Sequence, residues 1–266
     1  MEIYELPVLV LKGLILLPKN ELRLEIDSSF DKDVIDISME QQDGKIFVVP
    51  QNDSLEETVD VNDISTIGTI AEIASRLELP NGKTRILLKG LVRAASREYV
   101  KPFSGIIISS IELLNDDIVE PELNMAISRK LRKELDRYIK VVPTISNSVI
   151  AQIDSASTID TITDIIVNYL PLSLERKRDY LECPKPLKRT EMILEDIYQE
   201  EALFEIEKRL DAKVKSILEE NQKNYILREK IRVMKEELGE ASLHDDEIER
   251  LRIRLLELVC SNEVRD

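Results

Sequence analysis

The sequence predicts an α+β protein: a β-rich N-terminal part, then an α-helical bundle, then a very long C-terminal helix. Three observations lead there. Apolar and polar residues alternate in short stretches up to about Leu113, separated by turn signals. Beyond Asn115–Pro121 the apolar spacing becomes helical. After Pro186 no Pro or Gly occurs up to Leu238, and Leu, Glu, Lys, Arg, Ala and Gln dominate. Roughly 50 helical residues would span about 75 Å, longer than a compact domain needs.

The first apolar run, Leu6 to Pro18, reads as one or two buried strands. Lys12 and Gly13 interrupt it, Glu2 and Glu5 stand where a signal peptide has basic residues, and it is too short to span a bilayer. Leu22, Leu24 and Ile26 alternate with charged residues as in a half-buried strand. Ser28 or Ser29 offers an N-cap for a helix through about Gln42. Asp43-Gly44 then turns the chain into the strand Ile46–Val49. Asn81-Gly82, between two alternating segments, predicts a two-residue hairpin turn with positive φ at both residues. Ser104 to Leu113 reads as the last strand. Six or so short strands with one helix predict a small barrel or strongly curled sheet.

The helical part opens at Pro121, suited to a first helical turn, and the first helix runs to about Lys140. Shorter helices follow near Ser148–Ile153 and Ser157–Leu170, and Ser173 caps another before Cys183–Pro186 breaks the pattern. Along the long helix Leu203, Ile206, Leu210, Val214 and Ile217 are spaced 3-4-4-3. Asn221, Asn224 and Arg228 interrupt the stripe, and Leu227, Ile231, Met234 and Leu238 resume it on a shifted phase. We expect the first half to anchor on the bundle and the second on something else. Gly239 is placed as a left-handed terminator. Ser242 and Asp245 resemble a capping box for a final helix with Ile248, Leu251, Leu255 and Leu258 on its apolar face. The expected segments are 1–115, 116–186, 187–240 and 241–266.

Composition narrows the function. With 43% hydrophobic and 33% charged residues, the chain can build a core. A formal net charge of -15 repels phosphate backbones and anionic membranes, so nucleic acid and membrane are poor partners. The basic stretch Ser128–Lys140 alternates with Leu131, Leu135 and Ile139, which reads as a solvated helix face. Two distant cysteines, Cys183 and Cys260, and the single His244 leave little for a metal site or a disulfide framework. That usage fits a reducing cytoplasm.

Catalytic signals are absent. Gly82-Lys83-Thr84 ends like a phosphate-binding loop, but Leu77 stands where the first glycine belongs, and the turn joins two strands. There is no G-x-S-x-G elbow. A Ser-His-Asp triad could use only His244, in a polar turn. The carboxylate pairs Asp116-Asp117, Asp245-Asp246 and Glu200-Glu201 read as solvated charges, and Cys183, between Glu182 and Pro184, as an inert thiol. No catalytic, cofactor-binding or metal-ligating residue is assigned.

Three blocks together resemble one family. They are Glu5–Ile26, with Leu-Pro, Gly-Leu and Leu-x-Pro; Ile64–Ala94, with a V-G-T-x-A-like hairpin, an L-P-N-G turn and G-L-x-R; and Asn168–Glu182 with Glu219–Glu240. In this order they resemble the N-terminal region of Lon, the ATP-dependent serine protease. The resemblance implies a β-rich PUA-like or LON domain, a helical bundle, and a long helix leading to an AAA+ ATPase. It also implies that the whole protease uses ATP and Mg, carries a Ser-Lys dyad, and forms a homo-hexamer acting on unfolded or damaged proteins. The chain stops before the ATPase and peptidase motifs, so it is expected to be inactive alone. Its expected role is to recognise substrates, support hexamer assembly and deliver clients to the ATPase pore; the alternative is a stand-alone LON-domain adaptor. Client contact requires exposed apolar groups. Ile15, Leu16 and Leu17 are candidates, with a buried strand as the competing reading, while Leu227, Ile231 and Met234 form a candidate interdomain or partner-contact stripe.

Overall fold

The computed structural model describes residues 3–52, 61–101, 105–114, 117–142, 146–237 and 240–257. The chain forms two compact units, Met1–Ala202 and Leu203–Asp266.

Six strands build the N-terminal part of the first unit: β1 (Ile3–Leu11), β2 (Glu21–Ile26), β3 (Lys45–Pro50), β4 (Ile67–Glu78), β5 (Thr84–Val100) and β6 (Ile108–Leu113). Helix α1 (Ser29–Gln41) connects β2 to β3. The strand order is β2-β5-β4-β3-β1-β6, and a further β5–β6 pairing closes the sheet on itself. One edge of β5 makes that closure possible: Thr84–Lys89 pairs with β2, and Ala94–Val100 pairs with β6. β1 and β3 run parallel and every other ladder is antiparallel. Register shifts in the β4–β5 and β5–β6 ladders supply the local bending that closure needs.

Both faces of β1 and β3 are buried. Leu9, Leu11, Ile46, Val48, Ile73 and Leu88 share one cluster with Val34 and Ile35 of α1. Leu6, Val8, Phe47, Val49, Ile70 and Ile111 form the other. Ser28 is the N-cap of α1, its hydroxyl accepting from the Asp31 N–H at 3.4 Å.

Of the one or two strands expected in the Leu6–Pro18 run one forms, and Lys12 onward is a loop. Two local expectations are corrected. Strand β6 starts only at Ile108, although Ile106 and Ile107 are buried. The β4–β5 turn is not a two-residue hairpin: the Gly82 N–H donates to the Leu79 carbonyl at 3.0 Å across Pro80-Asn81, and of those three residues only Gly82 has positive φ, +78°. Pro80 presets the first turn residue and Gly82 takes the left-handed position, making a three-residue loop.

The helical bundle comprises α2 (Pro121–Val141), α3 (Asn147–Ser155), α4 (Ile159–Tyr169), α5 (Leu174–Glu182) and the first turns of α6 (Pro186–Glu237). α4 is its centre, with Ile159 and every residue from Ile162 to Val167 buried. Its cap is Thr158, and Ser173 caps α5 as expected. On α2 the buried positions are Ser128, Leu131, Leu135 and Tyr138, so Tyr138 takes the place foreseen for Ile139. The basic residues of α2 lie mostly exposed, and Arg137 stacks 5.0 Å over Tyr198 while pairing with Glu201. α6 is buried at Arg189, Thr190, Ile193, Asp196 and Ile197.

In the second unit α6 continues, and α7 (Glu240–Glu257) follows. Leu203, Ile206, Leu210, Val214 and Ile217 are all exposed, which corrects the expectation that this stripe is anchored in the bundle. The anchored part is instead the polar-apolar segment Arg189–Ile197. Helix α7 begins two residues before Ser242; Leu238, Gly239, Leu258 and Cys260 lie outside the described residues. No described helix is long and apolar enough to cross a membrane.

Candidate functional site

The loop after β1 is held by groups of β4, β5 and α4. Gly13 and Lys19 take positive φ, +66° and +61°. The Thr69 hydroxyl donates to the Leu16 carbonyl at 2.6 Å. The Lys19 N–H donates to the Gly90 carbonyl at 2.8 Å, and the Gly90 N–H to the Asn20 carbonyl at 2.9 Å. The buried Asn20 amide donates to the Pro18 carbonyl at 3.0 Å and to the Asp164 carbonyl of α4 at 2.7 Å. Gly90 is required by proximity: a Cβ there would lie 2.4 Å from the Leu17 carbonyl oxygen. We expect Gly90→Ala to cost about 1–3 kcal/mol through forced displacement of this loop. Urea denaturation checks it; an unmoved midpoint would mean that the loop yields freely.

This anchoring decides the fate of the predicted contact residues. Leu16 and Leu17 are buried with the loop, and Leu16 belongs to the core cluster around α1. Ile15 is half-buried, and its neighbour Leu14 is 43% exposed. The surface of the predicted Ile15–Leu17 segment is therefore carried by Ile15 and, beside it, Leu14.

Leu14 lines a groove of about 630 Å³, together with Leu9, Val10, Leu11, Leu24, Ile26 and Ile107. Strand pairing explains the groove. β6 covers the outer edge of β1 only from Ile3 to Pro7, and β2 pairs with β5 alone. Among the described residues no strand joins the last residues of β1 to β2, which leaves a seam there. Lys12 and Lys101 border it, as do Glu25, Asp27 and Asp31. Burial, and then the Asp27 charge, raise the Asp31 carboxyl above its ordinary value, against the Ser28 hydroxyl and Lys12. The groove offers apolar surface between polar rims. Among the described residues no cluster of three or more His, Cys, Asp or Glu could hold a metal ion.

Beneath the loop lies a charged centre that sequence reasoning missed. Arg93 of β5 and Asp164 of α4 are each 1% exposed at the side chain. Arg93 donates to both Asp164 oxygens, through Nη1 at 2.8 Å and through Nη2, and through Nε to the Leu181 carbonyl at 3.1 Å. Arg189 of α6, fully buried, donates to Asp160, to the Cys183 carbonyl at 2.8 Å, and to the Thr163 hydroxyl at 3.3 Å. Alongside, Arg176 grips both oxygens of Asp196, at 3.1 and 3.0 Å, and the Tyr180 hydroxyl donates to that carboxylate. Burial, reinforced by Asp196, pushes the Tyr180 phenol up. The Arg93 bonds fix barrel to bundle, those of Arg189 and Arg176 join helices within the bundle, and Asn20 ties the loop to the same helix α4. The signal was Asp164 itself, a lone acid within the run Ile162–Val167.

The other predicted positions lie on α6 in the second unit, where Leu227, Ile231 and Met234 are 56%, 53% and 58% exposed.

Comparison with known proteins agrees with this architecture. The chain is 30% identical over 251 residues to the Lon protease of Brevibacillus choshinensis, covering 94% of this chain and 32% of the relative. It is 30% identical over 261 residues to Lon protease 1 of Bacillus subtilis (strain 168), covering 98% and 34%. It spans about a third of the length of these relatives. The solved N-terminal domain of Mycobacterium avium complex Lon protease shares the fold, with a TM-score of 0.60 at 18% identity, covering 73% of this chain and 98% of that one. Residues 5–198 match the model of the ATP-dependent protease La (LON) substrate-binding domain, and the chain belongs to that family.

Proposed function

We propose that the chain is the non-catalytic, substrate-engaging N-terminal region of an ATP-dependent Lon endopeptidase. The observation that carries this reading is the seam groove, an apolar surface with the exposed Leu14 in its lining, in a chain of the substrate-binding family. Unfolded proteins expose apolar segments that native proteins bury. A shallow groove binds such segments weakly, as suits a region that must release its client to an ATP-driven pore. In the whole protease, hexamer assembly draws on the proximal exposed stripe of α6, Leu203 to Ile217, and ATP, Mg and the Ser-Lys dyad belong to modules other than this one. Its partners are unfolded or damaged proteins, and its compartment is a reducing cytoplasm.

The chain should bind an unfolded protein and ignore the native form of the same protein. Leu14→Glu should weaken that binding by about tenfold, since an apolar contact becomes a buried charge. Equal binding to both forms, or indifference to Leu14→Glu, would sink the proposal.

A further inference from the structure

We infer that the client binds the seam groove as an added β-strand, paired through its main chain with the outer edge of β1 at Val10. This rests on the reading of the chain as a substrate-engaging region and specifies how the substrate is held. The β1–β3 register fixes where each peptide group points. The Gln51 N–H donates to the Leu11 carbonyl at 3.0 Å, so Leu11 and Leu9 turn their peptide groups toward β3. Successive groups along a strand alternate sides, so the Val10 N–H and C=O face the other way. Val8 faces that way too, and its N–H is used, donating to the Ile107 carbonyl at 2.9 Å. The β6 ladder ends at Pro7, and among the described residues no strand pairs with Val10 on that side. Across the groove, β2 likewise has one edge without a strand partner among the described residues.

An unpaired edge beside an apolar groove is a template for strand addition. An added strand would turn every second side chain toward Leu14 and Leu24 and the rest toward solvent. The favoured client is therefore an extended, proline-free segment with alternating apolar and polar residues. Such a segment is available in an unfolded β-rich protein and already paired in a folded one. On the rim Glu25 and Asp27 already pair with Arg85 and Lys83, so recognition rests on the strand and its apolar face and not on flanking charge.

The test uses a capped peptide of alternating Val and Thr flanked by lysines, titrated against the full chain by fluorescence anisotropy. Val10→Pro removes the outward N–H and leaves the β3 ladder its own groups, whereas Val10→Ala keeps the N–H. Val10→Pro should bind about tenfold more weakly than the parent chain, and Val10→Ala within about threefold of it. Equal affinity of the two variants would overturn strand addition. If Val10→Pro loses its circular-dichroism spectrum, N-methylation of alternate peptide amides replaces it. Loss confined to one of the two alternating sets supports the pairing, and equal affinity of both sets overturns it. A peptide that fails while an unfolded protein still binds removes the strand mode alone; failure of both removes the proposed function as well.

Discussion

Replacing Asp164 with alanine should destabilise the first unit by about 3–5 kcal/mol, the usual consequence of removing one partner from a buried ion pair. Arg93 and Arg189 both converge on this carboxylate, Arg93 through two hydrogen bonds and Arg189 with Nε 3.7 Å from it. Without it two buried guanidiniums lose their shared counter-charge. Their carbonyl partners satisfy N–H groups but do not neutralise them. Asp160 offsets part of the loss, lying 4.0 Å from Arg93 and directly bonded to Arg189. Asp164→Asn should be nearly as harmful, because its amide turns two donors toward groups that only donate. Converting Arg93, Asp164 and Arg189 together to Met, Leu and Met should restore much of the stability, since a packed apolar replacement avoids the desolvation cost. Urea denaturation by circular dichroism measures all three. A loss below about 1 kcal/mol for Asp164→Ala would show that water reaches the site. A further consequence separates a lock from a mere core contact. The Arg93 bonds join β5 to α4 and α5, so their loss should split a single unfolding transition into one for the barrel and one for the bundle.

Much of this architecture was legible in local sequence. Ser28, Ser173 and Pro121 marked helix starts within a residue, because a cap is a local hydrogen bond or a preset φ. The apolar runs of β1 and β3 disclosed strands, since each face meets its own core cluster. What failed depends on long-range geometry. Leu16 and Leu17 look like strand residues, yet their loop is placed by Thr69, Gly90 and Asn20, distant in sequence. The Asn81-Gly82 pair was read without Pro80, whose fixed φ shifted the turn by one residue. The groove was invisible, because it arises where β6 stops along β1, and no residue pattern states where a ladder ends. The 3-4-4-3 stripe on α6 was read correctly as apolar periodicity, but periodicity does not say which surface covers it.

That uncovered stripe leads to the second large effect. In the second unit, Leu203, Ile206, Leu210, Val214 and Ile217 are exposed, as are Leu227, Ile231 and Met234 beyond the interruption at Asn221 and Asn224. Helices in water draw most of their stability from packing an apolar face, and the Arg232 pairs with Glu229 and Glu236 are solvent-screened. The helical content of this unit should therefore rise with protein concentration as copies cover the first stripe. Substituting Leu210→Lys, Val214→Glu and Ile217→Lys together should return the chain to the sedimentation coefficient of a single copy and lower its ellipticity at 222 nm. The same change should leave the urea midpoint of the barrel and bundle where it was, because none of the three side chains is part of that core. Substituting Leu227, Ile231 and Met234 in the same manner should leave self-association intact, since the phase shift turns that stripe to a different surface. Self-association abolished by the second set and not by the first would exchange the two assignments: the distal stripe would join copies of the chain, and the proximal one would await another module.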